Sequence, residues 1–198
     1  MITQKQAYEN IKAIYDEASM PALAHGTVWY QDAHNFCVDL AYKYDLELKV
    51  VVAALAALSP NVSWETNKRC LDSLLRTGEP YGNVYPDNVK KAEALLSGAL
   101  SVEQALFFRK RYGNKVRSFY DNIVNPTHSD KVTVDTHAIR GAFDSTSVTK
   151  KQLRWVFGTV TGYTILTKAY QQVAQEVGRM PNQVQATVWL TVKEALAK

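Results

Sequence analysis

The run LELKVVVAALAAL, residues 46–58, is apolar on every side once past its first turn. A helix of that kind has no face to offer water, so other elements must surround it and the chain must build a layered core. The surrounding elements read as helices too. Apolar residues recur at three- and four-residue spacing, as in Ala7, Ile11, Ile14 and Tyr15, while period-2 alternation is nearly absent. The expected fold class is all-α, a compact bundle of about nine to ten helices. With 198 residues it is expected to be a single domain over 1–198, with room for two lobes and a cleft.

Stop and start signals set the expected boundaries. A second helix is expected over 27–44, and Pro60 closes the apolar third one. The fourth covers 63–76 before Gly78, and the fifth begins at Pro86-Asp87 and stops near Gly98. SVEQ at 101–104 has the capping-box form, opening a helix that runs to about 111 before Gly113 breaks it. From 114 to 124, Val116, Phe119, Tyr120 and Ile123 share a face that the Asn125-Pro126 turn ends. After a polar loop and an extended VTV, helices are expected over 136–143, 149–157, 161–177 and 181–197, the last with Pro181 in its first turn.

Composition narrows the function classes. At 46% hydrophobic and 11% aromatic the chain is too apolar for disorder. Cys37 and Cys70 lack metal-site spacing, so no disulfide framework, zinc site or cysteine-ligated cluster is expected, and a reducing cytoplasm fits. The polar start MITQKQAYENIKAIYDEA is unlike a signal peptide, and no apolar run is long enough for a membrane span. A net charge of +4 permits nucleic-acid binding without requiring it.

The chemistry concentrates in GNKVRSFYDNIVNPTHSDKVTVDTHAIR: a Gly turn bearing Lys115, a helix, a loop, and Asp135 opening a new helix. Amides at a Gly turn and helix start can hold a phosphate without reading sequence. Asp135 alone would serve as an N-cap, accepting from the Thr136 or His137 amide, a role worth about 1 kcal/mol. The basic cluster Arg109, Lys110, Arg111, Lys115 and Arg117 suits either phosphate contacts or a solvated face. His137 suits a hydrogen bond to a neighbouring loop or a substrate contact. His25 and His34 have no carboxylate partners at metal spacing and are assigned to structure. Gln183, Gln185 and Trp189 in PNQVQATVW set polar groups and an aromatic on the last helix, which periodicity does not account for.

This pattern resembles the helix-hairpin-helix (HhH-GPD) DNA glycosylase superfamily of endonuclease III type, including divergent phage-type members. The family's hairpin Gly-x-Lys and downstream Val-Asp-Thr-His are matched by Gly113-Asn114-Lys115 and Val134-Asp135-Thr136-His137. AALSPNVSWETNKRCLDSLL is similar to the family's helix, Leu-Ser, wedge loop and following helix, and YPDNVKKAEALL to the segment before the hairpin. The likeness covers roughly 50–145 and places a helix-hairpin-helix-like segment at about 101–124. RKRYGNK departs from the family's Leu-Pro-Gly approach, and the stretch from Lys115 to Asp135 is longer than in the closest pattern.

The resemblance implies a DNA N-glycosylase that flips out and excises a damaged or modified base, with Asp135 and Lys115 as catalytic residues. If Lys115 attacks the sugar, AP-lyase activity follows; otherwise water is the nucleophile. It also implies DNA contacts from Asn61, Gly113, Asn114, Arg117, Arg111, His137 and Arg140. Trp64, Tyr120 and Trp189 are implied as base-pocket walls, although aromatic residues on amphipathic helices are usually core. DNA is the expected partner, with no cofactor, no metal, no iron–sulfur cluster and no membrane association. The alternatives are a glycosylase-like phage enzyme that hypermodifies thymidine in DNA, and a non-catalytic DNA- or protein-binding module.

Overall fold

The computed structural model describes residues 1–107 and 114–197, with the Asn114 side chain outside the description. Among the described residues the chain is all-α: ten α-helices, one short π-helical turn and no strand. The helices are α1 (Gln4–Asp16), α2 (Met20–Lys43), α3 (Leu48–Leu58), α4 (Trp64–Thr77), α5 (Pro86–Leu96), α6 (Asn114–Val124), α7 (Thr136–Phe143), α8 (Lys150–Gly158), α9 (Val160–Glu176) and α10 (Pro181–Leu196). The π-helical turn, Glu103–Phe107, lies between α5 and α6. No helix among the described residues is long and apolar enough to cross a membrane.

The fold divides into two units, one made of Met1–Asp32 with Asn125–Lys198 and the other of Ala33–Val124. Helix α2 belongs to both. In the second unit α3 is the hub. Its residues Val51 to Leu58 are all buried, and α4, α5, α6 and the π-helical turn pack on it. Cys37 and Cys70 are buried in this unit as free thiols, and burial pushes the Cys37 thiol up to about 12. In the first unit α1, α7, α9 and α10 enclose a core that includes Ile11, Ile139, Leu166, Tyr170 and Val188.

Local chemistry explains the boundaries. Thr3 and Thr149 cap α1 and α8 with capping boxes, and Ser63 and Thr159 cap α4 and α9 through their side chains. Helix α2 starts well before the expected residue 27. The Ser19 hydroxyl accepts from the Ala22 amide at 3.1 Å, so the helix begins there and Pro21 sits harmlessly in its first turn. Within α2, Gly26 lies against α10. A Cβ there would stand 2.6 Å from Thr187 Cα, a contact no side chain could relieve.

The SVEQ capping box forms, with the Ser101 amide donating to Gln104 Oε1 at 2.9 Å. The turns that follow are π-helical where an α-helix to about 111 was expected. The rest of that expected helix, and the hairpin turn at Gly113, lie outside the described residues.

Candidate active site

Residues 125–135 carry the site, and their burial poses a backbone problem. Val132 and Val134 are buried, yet this stretch joins no sheet among the described residues. Its polar groups are met by side chains instead. Tyr163 of α9 donates its hydroxyl proton to the Val132 carbonyl at 3.1 Å and accepts from the Val134 amide at 3.4 Å. Gln171 donates to the Asp130 carbonyl at 2.9 Å, and Asn182 of α10 to the Pro126 carbonyl at 2.8 Å. Tyr30 of α2 donates to Gln185 Oε1 at 2.7 Å and lies 2.9 Å from the Thr133 hydroxyl, from which it accepts. Three helices therefore hold the segment that delivers Asp135.

Asp135 is the N-cap of α7. Its Oδ1 accepts from the Ala138 amide at 2.7 Å, the third helical residue, where Thr136 or His137 was the expected donor. An N-cap side chain reaches that amide because it curls back over the first turn. The carboxylate is half-buried, and its second oxygen makes no hydrogen bond among the described residues. Behind it the fully buried Tyr170 donates its hydroxyl proton to the Ala138 carbonyl at 3.1 Å. Burial first, and then the Asp135 charge, hold the Tyr170 phenol well above its ordinary pKa. Asp135 thus has one oxygen fixed by the helix and one available.

Beside Asp135, α7 also presents His137 and Arg140, which lie on one face at a spacing of three. Arg140 Nη1 lies 3.3 Å from His137 Nδ1, and since a guanidinium can only donate, that ring nitrogen accepts. Arg140 Nε is buried and has no hydrogen-bond partner among the described residues. The His137 ring stands edge-on to Trp189 of α10 at 6.0 Å, and Trp29 of α2 contacts the same indole at 5.9 Å. Lys193 sits over the Trp189 ring at 4.3 Å. The setting is an aromatic patch edged with cationic side chains, next to a carboxylate.

Of the residues implied as functional, the structure brings Asp135, His137, Arg140 and Trp189 into this one unit. Asn61, Trp64, Lys115, Arg117 and Tyr120 belong to the other. Asn61 is exposed in the α3–α4 turn with a φ of 62°, a conformation asparagine tolerates better than most residues. Trp64 is half-buried between Phe36 and Phe119, with Lys68 over its ring at 5.4 Å. Tyr120 is buried edge-on to Phe107, and its hydroxyl is pushed up to about 12 by burial and by the nearby charges of Asp121 and Glu103. Arg117 Nε donates to the Leu106 carbonyl at 2.5 Å with its guanidinium over Phe107, tying α6 to the π-helical turn. Lys115 is half-buried in the first turn of α6. Arg109, Lys110, Arg111 and Gly113 lie outside the described residues, and so does the Asn114 side chain.

The sequence reading missed Tyr30, Thr133, Tyr163 and Tyr170. The one signal for the three tyrosines was an aromatic at a helical position whose hydroxyl needs a partner when buried, and Thr133 had none. Gln183 and Gln185 now have an account. Gln183 caps α10 by accepting from the Met180 amide at 3.1 Å and donates to the Thr27 carbonyl at 3.0 Å, while Gln185 receives Tyr30. His34, assigned to structure in the sequence, has its Nδ1 2.8 Å from the Ile123 carbonyl. Among the described residues no group of three or more His, Cys, Asp or Glu is placed to hold a metal ion.

Fold and site together define an all-α protein that presents a helix-capping carboxylate beside an aromatic, cationic patch. The chain belongs to the family described as "Family of unknown function (DUF7178)", which it matches over residues 1–196. No curated protein and no solved structure matches it.

Proposed function

We propose that this chain is a DNA N-glycosylase that removes a damaged or modified base, with Asp135 as its catalytic carboxylate. The observation that carries the reading is the carboxylate itself: one oxygen is locked by the Ala138 amide and the other makes no hydrogen bond among the described residues. A carboxylate held in this way needs no reorganisation to stabilise positive charge as it develops on a deoxyribose. In the reaction the C1′–N bond breaks, the base leaves with the bonding pair, and a water oxygen adds to C1′. The free oxygen of Asp135 takes the water proton. The order of Gly-Asn-Lys and Val-Asp-Thr-His in the sequence supports the same reading. Trp189 offers a face for an extruded base, and Arg140 and Lys193 offer positive charge for its phosphates. The water route uses Asp135 and does not require Lys115.

The test is mass spectrometry of free bases and nucleosides from natural and phage-modified DNAs incubated with wild-type protein and with Asp135→Asn. Release of a base by wild type, lost in Asp135→Asn, is the expected result. An intact sugar carrying a heavier base would replace the glycosylase reading with base modification. Base release that persists in Asp135→Asn would refute the role of the carboxylate.

A further inference from the structure

A second feature lies in the other unit, on the segment GEPYGNVY that joins α4 to α5. In residues 78–85 it exposes two tyrosines, Tyr81 at 45% and Tyr85 at 57% of their surface. Large aromatic rings are normally withdrawn from water, so two in one short connection call for an account.

The connection is pinned along α4. Gly78 ends that helix with a φ of +76°, and Gly82 has a φ of +78°. At Gly82 a Cβ would stand 2.9 Å from the Thr66 methyl group, so the backbone approaches α4 closely there. The Tyr81 amide lies against the buried Cys70 sulfur, partly offsetting the rise that burial imposes on that thiol. Val84 is buried and anchors the far end. Tyr81 is therefore held outward by a fixed backbone.

Arg69 of α4 completes the feature. Its Nη1 donates to the Tyr81 hydroxyl at 3.3 Å, with the guanidinium carbon 5.8 Å from the ring centroid. Arg69 makes no ion pair with a carboxylate among the described residues. Glu65, one turn earlier, is engaged by Lys68 at 2.9 Å. A displayed aromatic ring whose hydroxyl is met by a guanidinium that makes no carboxylate ion pair among the described residues matches a planar base joined to a phosphate. Tyrosine stacks any base through its π-face, and arginine answers the charge of the linking phosphate.

We infer that Tyr81 and Arg69 form a stacking platform for an unpaired nucleotide of single-stranded DNA. The platform does not depend on the chemistry proposed for Asp135. Tyr81 supplies the stacking surface and Arg69 the phosphate contact.

The experiment is fluorescence anisotropy of a labelled oligothymidine, titrated at several salt concentrations. The proteins are wild type, Tyr81→Ala, Tyr81→Phe and Arg69→Ala, each checked for folding by circular dichroism. Tyr81→Ala is expected to weaken binding about 5- to 150-fold, the equivalent of about 1–3 kcal/mol for one stacked base. Tyr81→Phe keeps the ring and is expected to bind within a few-fold of wild type. Arg69→Ala is expected to lower the salt slope by about 0.7, the value for one phosphate of a single strand. The titration reads binding and not base release, so the two proposals fail separately. Absence of binding by wild type, equal binding by Tyr81→Ala, or a loss in Tyr81→Phe as large as in Tyr81→Ala would each overturn the inference.

Discussion

Replacing Asp135 by asparagine and by alanine separates its structural role from its chemical one. The carboxylate caps α7 through a 2.7 Å bond from the Ala138 amide, and asparagine offers an oxygen of the same reach. Asp135→Asn therefore keeps the cap and gives up the interaction of a negative charge with the helix N-terminus, about 0.3–1 kcal/mol. Asp135→Ala loses the cap as well, about 0.5–2 kcal/mol. For a chain of this length each kcal/mol corresponds to a shift of roughly 2–4 °C in Tm. Thermal unfolding followed by circular dichroism is expected to place Asp135→Asn within a few degrees of wild type and Asp135→Ala below it. Base release is expected to vanish in both. The reasoning fails if activity follows stability, with Asp135→Asn nearly as active as wild type and Asp135→Ala inactive only in proportion to its unfolding. Asp135 would then be a cap and nothing more.

Gly26→Ala would drive a methyl group into the Thr187 backbone, 2.6 Å from its Cα, and overpacking of this kind costs roughly 1–3 kcal/mol. A urea midpoint equal to wild type would show that α2 and α10 can separate freely. Tyr163→Phe removes the donor to the buried Val132 carbonyl and the acceptor of the Val134 amide, an expected loss of about 1–3 kcal/mol. Hydrogen exchange should then quicken first at residues 132–135, and uniform quickening along the chain would count against local support. Tyr120 has its pKa raised by burial to about 12, so the folded state resists ionisation that the unfolded chain undergoes near 10. Its contribution is present below pH 10 and is lost as the pH rises towards 12. Tyr120→Phe is expected to flatten the alkaline limb of a plot of unfolding midpoint against pH, and an unchanged limb would refute the assignment.

Most helices were legible because their signals are local. Ser63, Gly78, Pro86, Thr149 and Pro181 each mark a boundary within about a turn, and the all-apolar α3 could only be a hub. The start of α2 was not. Gly26 reads as a weak point in a helix, and its purpose emerges only when Thr187 is laid against it. The carboxylate was legible from its Val-Asp-Thr-His context. Its supports were not, since Tyr30 meets Thr133 and Gln185 across 103 and 155 residues. A hydrogen bond over that separation leaves no periodicity to read. The partners of the VTV stretch were not legible: they are Tyr163 of α9 and Tyr30 of α2, where an extended segment suggests a neighbouring strand.

The order in which the chain is synthesised gives the division into units a further meaning. The unit Ala33–Val124 is continuous, so all of its residues are available before Asp135 is made. The other unit begins with the first 32 residues and is completed only by residues 125–198. Domains tend to fold as they are completed during synthesis. Until then α1 and the first half of α2 wait with apolar faces uncovered, Tyr30 among them, because Thr133 and Gln185 do not yet exist. The surroundings of the carboxylate thus bring residues 1–32 together with residues 125–198, and they form only after the continuous stretch between them has been made.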